Sequence, residues 1–175
     1  MPKAGLRDTV IFETQSPEAT FRLGAAFGAA AQGGEVLALI GPLGAGKTQF
    51  VKGLAQGVGV PPENVTSPTF ALMQSYAGRL LLTHIDLYRL ENPDEICALG
   101  LEEEIEDAGL AAIEWADKGE CLLPPGSLIL RLKPLEGAVR KVEMQATNIM
   151  HAAWRDRSLK NAAEEREGFV TKAFK

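Results

Sequence analysis

Apolar positions along the chain alternate between short continuous runs and the three-and-four spacing of helices. Asp8 to Glu13 reads as a short strand. Ser16-Pro17-Glu18 then offers an N-cap serine, a proline at the first helical position and an early acid, and predicts a helix through about Ala31, stopped by Gln32-Gly33-Gly34. Val36 to Ile40 is apolar throughout, as a strand buried on both faces is, and Thr48 to Ala55 spaces its apolar groups as a helix does. Gly57 to Pro68, rich in Gly and Pro, reads as a surface connection. A hairpin is expected next, with arms Thr69 to Ser75 and Leu80 to Ile85 joined across Ala77-Gly78. A helical stretch from about Pro93 to Ala108, broken at Gly100, precedes an apolar strand, Leu110 to Ile113, that ends at Glu114. Two more strands fall at Leu128 to Leu132 and Val139 to Gln145. From Asn148 the periodicity weakens. Trp154, Leu159 and Ala163 share part of one helical side, so the segment reads as one helix or as a frayed tail.

Between the run Val36 to Ile40 and the following helix lies Gly41-Pro42-Leu43-Gly44-Ala45-Gly46-Lys47-Thr48, a full GxxxxGK(S/T) phosphate-binding loop in its required strand, loop, helix context. A polyphosphate has to be wrapped by backbone N–H groups, here those of Leu43, Gly44, Ala45 and Gly46, and the glycines let the chain curl close. The helix that starts near Lys47 adds its unsatisfied N–H groups and positive dipole end. Lys47 is expected on the β- and γ-phosphates and the Thr48 hydroxyl on Mg²⁺, which makes ATP and Mg²⁺ the expected ligands. The alternation of elements around such a loop predicts an α/β fold. It is a three-layer α/β/α, P-loop NTPase-like domain with parallel central strands and antiparallel outer strands, over residues 1–147, with 148–175 as a C-terminal helical or frayed tail. Ligands should sit beyond the carboxyl ends of the parallel strands.

Composition narrows the partners. At 175 residues one core is expected, and no long apolar run suggests a membrane span. The N-terminus lacks the basic and apolar regions of a signal peptide, so a cytoplasmic protein is expected. Cys97 and Cys121 lack metal-ligand spacing and read as two reduced thiols. The formal net charge is −5, whereas a protein that grips nucleic acid by itself usually presents a basic surface; any RNA role is therefore expected to be indirect.

Two apolar runs deliver an acid at their ends, Leu80 to Ile85 giving Asp86 and Leu110 to Ile113 giving Glu114. These are positions where a phosphate-loop enzyme needs oxygen ligands or a base for Mg²⁺ and the attacking water, although either acid could instead cap a turn. His84 shares a strand face with Asp86 and is either a site histidine or, the commoner outcome, a partly buried, hydrogen-bonded structural one. Trp115 could line the nucleotide site or fill the core. Arg79 and Arg89 are the nearest candidates for an arginine finger.

Four segments in this order, Gly41 to Thr48, Ser67-Pro68-Thr69-Phe70, His84-Ile85-Asp86-Leu87-Tyr88-Arg89-Leu90 and Ile113-Glu114-Trp115, resemble the TsaE family, the ATPase of bacterial tRNA threonylcarbamoyladenosine biosynthesis. The resemblance spans roughly residues 16–145. It implies a cytoplasmic Mg²⁺-dependent ATPase working with the TsaD/TsaB complex, which attaches threonylcarbamoyl to adenosine 37 of tRNAs reading ANN codons. The chain's own ATP cycle would support turnover of that complex. By the resemblance Lys47 is the phosphate-binding lysine and Thr48 with Glu114 the Mg²⁺ ligands. Asp86 is an acid needed for activity, in a water-orienting or metal-shell role. Trp115 is the tryptophan beside the metal acid and Thr69 a switch residue that senses the γ-phosphate. Ser16 and Arg140 fall where family members approach the nucleotide. The chain departs from the family pattern at Pro42, usually Asp, and at Ala116, often Pro.

Two other readings use the same loop. A small-molecule kinase would need an acceptor pocket and an Arg-bearing lid, and no Arg-rich lid segment occurs. An ATP-regulated binding module would treat hydrolysis as incidental. A GTPase is disfavoured because no Asn-Lys-x-Asp segment occurs.

Overall fold

The computed structural model describes residues 8–164 and 169–170. In chain order the elements are β1 (Asp8–Thr14), α1 (Pro17–Ala30), β2 (Glu35–Ile40), α2 (Lys47–Gly57), β3 (Met73–Ala77), β4 (Leu81–Asp86), α3 (Pro93–Cys97), α4 (Glu102–Glu106), β5 (Leu110–Glu114), β6 (Leu128–Pro134), β7 (Arg140–Ala146), α5 (Ile149–Glu164) and β8 (Phe169–Val170). The strands form one mixed sheet in the order β3-β4-β5-β2-β6-β7-β1-β8. β4, β5, β2 and β6 run parallel, while β3 at one side and β7, β1 and β8 at the other are antiparallel to their neighbours. This is the expected α/β architecture of parallel centre and antiparallel flanks.

Burial explains the patterns. β2 and β5 lie between helical layers and are apolar on both faces, whereas β6 and β7 alternate buried with half-buried positions. One face of the sheet packs Leu37, Leu39, Leu82, Leu110 and Leu130 beneath Phe27, Phe50, Leu54 and Trp154. The other packs Ile85, Ala111 and Ile113 against Ile96, Ile105 and Leu122. Ser16 caps α1 as its sequence position predicts, its Oγ accepting from Ala19 N at 3.1 Å, and Pro17 opens the helix. Gly100, at φ 68°, separates α3 from α4 in the left-handed conformation that breaks the helical pattern there. α1 and α2 approach backbone to backbone: a Cβ on Gly24 would run into Phe50 O, and one on Gly53 into Phe21 O. That seam holds α1 beside α2, whose first turn carries the phosphate loop.

Three expectations shift. The first arm of the hairpin starts at Met73 rather than Thr69, because residues 67–72 fold into a turn closed by Leu72 N donating to Pro68 O at 2.6 Å, with Leu72 at φ 68°. Cys97 and Cys121, read as reduced thiols, are joined by a disulfide with Cα atoms 6.0 Å apart. The segments after β4 and β5 cover the same face of the sheet, a proximity that the linear spacing does not reveal. Of the segment from Asn148, Ile149–Glu164 is a helix and Phe169–Val170 pairs with β1; two residues are too few to show a strand period. Among the described residues no helix is long and apolar enough to cross a membrane.

α5 is tied to the core by Trp154, which is fully buried, donates from Nε1 to Phe27 O at 3.0 Å and meets the Phe27 ring edge-on at 5.2 Å. Trp154→Ala should therefore lower stability by about 3–5 kcal/mol, measured as a shift of the urea midpoint; a loss near zero would show that α5 is not part of the cooperative core.

His151, also on α5, accepts from Val36 N through Nε2 at 3.1 Å, and its Nδ1 lies 3.0 Å from Asn148 Oδ1. An accepting Nε2 puts the ring hydrogen on Nδ1, facing the Asn148 carbonyl. Burial pushes the His151 pKa below its usual value, against an opposing pull from Glu35. The folded state thus binds fewer protons at this site than the unfolded one. Its contribution is complete above the unfolded value of about 6.5 and falls as pH drops through and below it. The urea midpoint should decline from pH 7.5 to 5.5, and the decline should shrink in His151→Gln; an equal decline in both proteins would remove His151 as its source.

Candidate functional site

The phosphate loop leaves the carboxyl end of β2 and enters α2 through Gly44 at φ 75° and Gly46 at φ 101°, both left-handed. Gly46 is the N-cap of α2 and brings no side chain to its free N–H groups, so the helix start is open to an anion. Lys47 is 4% exposed. Its Nζ donates to Gly41 O at 2.7 Å and Pro42 O at 2.9 Å and sits 3.9 Å from the centre of the Trp115 ring. Desolvation lowers the Lys47 pKa, and the nearby carboxylates of Glu114, Asp86 and Asp117 oppose that shift. Carbonyls and a ring face thus hold a cation that a phosphate would satisfy better.

The two expected acids arrive side by side. β4 and β5 are parallel, with Asp86 opposite Glu114 at their carboxyl ends, and both side chains are about 3% exposed. Thr48 Oγ1 donates to the Glu114 carboxylate, 2.8 Å from Oε1 and 3.1 Å from Oε2. Asp86 Oδ2 accepts from Ser67 Oγ and from Thr69 Oγ1, the latter at 2.9 Å, while Oδ1 accepts from Tyr88 N at 2.9 Å. The acid pair therefore joins three separate segments: the start of α2, residues 67–69, and the strand ends.

Leu43, Gly44, Ala45, Gly46, Lys47, Thr48, Ser67, Thr69, Asp86, Tyr88, Glu114 and Trp115 line one cleft of about 380 Å³, within the range of small-molecule sites. Trp115 takes a left-handed conformation, φ 58°, which turns its ring toward the cleft and against Tyr88 at 5.0 Å. The ring both lines the cleft and packs against the apolar cluster on the second face of the sheet. Leu43 is 75% exposed at the loop tip. Arg140 reaches the loop from behind, with Nε donating to Ala45 O at 3.2 Å and Nη2 to Gly44 O at 3.3 Å. Ser16 is not among the cleft's lining residues; its neighbours Pro17 and Thr20 line a smaller hollow with Gly44, Gly46 and Arg140.

Other candidates are placed elsewhere. Arg79 donates from Nη2 to Gly28 O at 2.9 Å, at the end of α1 away from the cleft, and Arg89 lies over the Phe70 ring at 4.6 Å. Neither lines the cleft, so neither supplies an arginine finger in this arrangement. His84, expected to be partly buried, is fully buried, and its Nε2 lies 2.9 Å from Glu114 Oε1. Sequence reasoning passed over the Ser67 hydroxyl, the Tyr88 backbone and Lys118, whose Nζ donates to Tyr88 O at 2.6 Å and Leu90 O at 3.0 Å. For Ser67 a signal existed: a hydroxyl two residues before Thr69 can share its acceptor. Lys118 left none.

Against known proteins, residues 14–142 match the family described as "Threonylcarbamoyl adenosine biosynthesis protein TsaE". The chain is 39% identical over 129 residues to the tRNA threonylcarbamoyladenosine biosynthesis protein TsaE of Treponema pallidum, which covers 74% of this chain and 95% of that one. It is also 39% identical over 136 residues to the protein of the same description from Bacillus subtilis, covering 77% and 84%. The crystal structure of Bacillus subtilis YdiB superposes with a TM-score of 0.75 at 30% identity, over 90% of this chain and 98% of that one.

Ser67 and Thr69 fasten an exposed segment through Asp86, since Phe70 beside them is 89% exposed. Losing charge-assisted bonds worth about 1.5–3 kcal/mol each should open that segment roughly tenfold or more. Chymotryptic cleavage after Phe70 should accelerate accordingly in Asp86→Ala, and likewise in Ser67→Ala/Thr69→Val. Cleavage at the wild-type rate in both variants would show that the segment is held by other contacts.

Proposed function

The chain belongs to the TsaE family of tRNA threonylcarbamoyladenosine biosynthesis, and from this we propose that it is the Mg²⁺-dependent ATP-binding and ATP-hydrolysing subunit that supports a TsaD/TsaB complex in modifying adenosine 37 of tRNAs reading ANN codons. The observation that carries the proposal is the contact of Thr48 Oγ1 with Glu114 beside Lys47 and opposite Asp86. Phosphate-binding groups and two carboxylates share one cleft.

The donors fit the implied cation. A hydroxyl and a carboxylate are hard oxygen ligands of the kind Mg²⁺ takes. Among the described residues no three His, Cys, Asp or Glu side chains gather as a metal site, so the remaining positions would fall to phosphate and water, as is usual for this ion. When bound, Mg²⁺ offsets charge on the phosphates as the terminal phosphoryl group is transferred.

The chain's own groups then have distinct tasks. The N–H groups of residues 43–48 hold the phosphates, and Lys47 exchanges Gly41 O and Pro42 O for phosphate oxygens. Thr48 and Glu114 hold the cation. Asp86, in place to accept hydrogen bonds, orients the attacking water once Ser67 or Thr69 releases it. Trp115 covers Lys47 and keeps bulk water off its ammonium. Arg140 stiffens the loop through Gly44 and Ala45. Water cleaves the terminal phosphoanhydride, giving ADP and phosphate. With a formal charge of −5, contact with tRNA is left to the partner proteins.

The test is the rate of ATP hydrolysis with Mg²⁺, alone and with purified TsaD/TsaB. We expect stimulation by the partners and its loss, on the order of 100-fold or more, in Lys47→Ala. ATP binding with no hydrolysis in either mixture, while tRNA modification proceeds, would establish a binding module. Failure to bind the partners would overturn the assignment of partner and return a small-molecule kinase to consideration.

A further inference from the structure

His84 is fully buried on β4, on the face that also carries Leu82 and Asp86. Its Nε2 is 2.9 Å from Glu114 Oε1. A carboxylate only accepts, so Nε2 carries the hydrogen and the imidazole donates. The other nitrogen, Nδ1, is buried and has no hydrogen-bond partner among the described residues. An imidazole retained only to fill this space would cost more than a leucine, because it buries a polar atom with nothing to satisfy it. The ring's one hydrogen bond is spent on Glu114.

The two donors on Glu114 differ in where they stand. Thr48 and Glu114 both line the cleft, whereas His84 does not. Thr48 must turn a lone pair toward any cation it shares with Glu114. His84 approaches from inside the protein and can keep its bond unchanged whether the cleft is filled or empty. A glutamate has three rotatable bonds, and a fixed donor behind the carboxylate removes much of that freedom.

We propose that His84 is a positioning residue that aims the Glu114 carboxylate at the cation site formed with Thr48. The inference rests on the Mg²⁺ reading given above and assigns His84 no contact with nucleotide or metal. Residues behind metal ligands typically change affinity by roughly 10- to 100-fold when removed.

The probe is Mn²⁺, titrated into ADP-loaded protein and followed through the EPR signal of the free ion. ADP binding is measured separately in EDTA. His84→Ala should weaken Mn²⁺ binding by roughly 10- to 100-fold and leave metal-free ADP binding unchanged. His84→Gln can place an amide N–H near the position of Nε2 and should recover most of the affinity. His84→Asn is equally polar but too short to reach, and should not. The Gln and Asn pair keeps the test sharp even if His84→Ala fails to fold.

Equal Mn²⁺ affinity in wild type, Gln and Asn proteins would overturn the role of His84. So would a parallel loss of Mn²⁺ binding and metal-free ADP binding, which marks general damage to the core. Wild-type protein that binds ADP but takes up no Mn²⁺ would instead overturn the metal reading on which this one stands.

Discussion

The site depends on holding a carboxylate in a place almost closed to water. Glu114 ends a strand whose residues are all buried and is itself about 3% exposed. A carboxyl group buried there needs hydrogen bonds in place of its hydration. Thr48 and His84 provide them, one from the first turn of α2 and one from β4. These two elements flank the carboxyl end of β5 because β4 pairs with β5 in parallel and β2 delivers the loop on the other side. Strand order, loop position and acid placement are thus a single requirement.

The same logic applies with opposite sign to Lys47. Its ammonium is held by two carbonyls of its own loop and by the Trp115 ring. Pro42, which costs the loop a side-chain carboxylate and a backbone donor, keeps its carbonyl, and that oxygen accepts both from Lys47 and from Ala45 N at 3.1 Å. Trp115 contributes because its backbone is left-handed, and the 3-10 turn Ala116–Lys118 follows at once, with Ala116 buried where a proline is often found in the family.

What was legible in the chain follows from range. Ser16 and Pro17 announce α1, the glycines announce the loop, and the unbroken apolar runs announce β2 and β5, since each signal is local to the element it specifies. The acids were legible as the ends of two buried runs, although turn capping remained open for each, and Asp86 does also hold the turn that follows by accepting from Tyr88 N. Contacts made across the sheet were not. Nothing local ties Ser67 to Asp86, His84 to Glu114 or Cys97 to Cys121. The pairing of β4 with β5 brings His84 to Glu114, and the pairing of β3 with β4 brings the segment of Ser67 to Asp86; strand register is written in no single segment. The expected first arm, Thr69 to Ser75, starts four residues early for a related reason: Ser67 and Thr69 are claimed by Asp86 and the chain turns to deliver them.

α5 extends the argument to a segment remote from the chemistry. It packs on α1 through Trp154 and Phe27, and α1 packs on α2 through Gly24 and Gly53 without side chains between the backbones. A helix seam with no intervening side chains cannot slide without collision, since each backbone is the other's surface. The position of the first turn of α2 is therefore referred through α1 to α5, and the hydroxyl of Thr48 has to stay within hydrogen-bonding reach of a carboxylate fixed by other strands. On this view the weak periodicity after Asn148 understates the segment. Much of its contribution lies in a tryptophan that holds α1 against the helix bearing the phosphate loop, which is a requirement of distance that a pattern of apolar positions does not express.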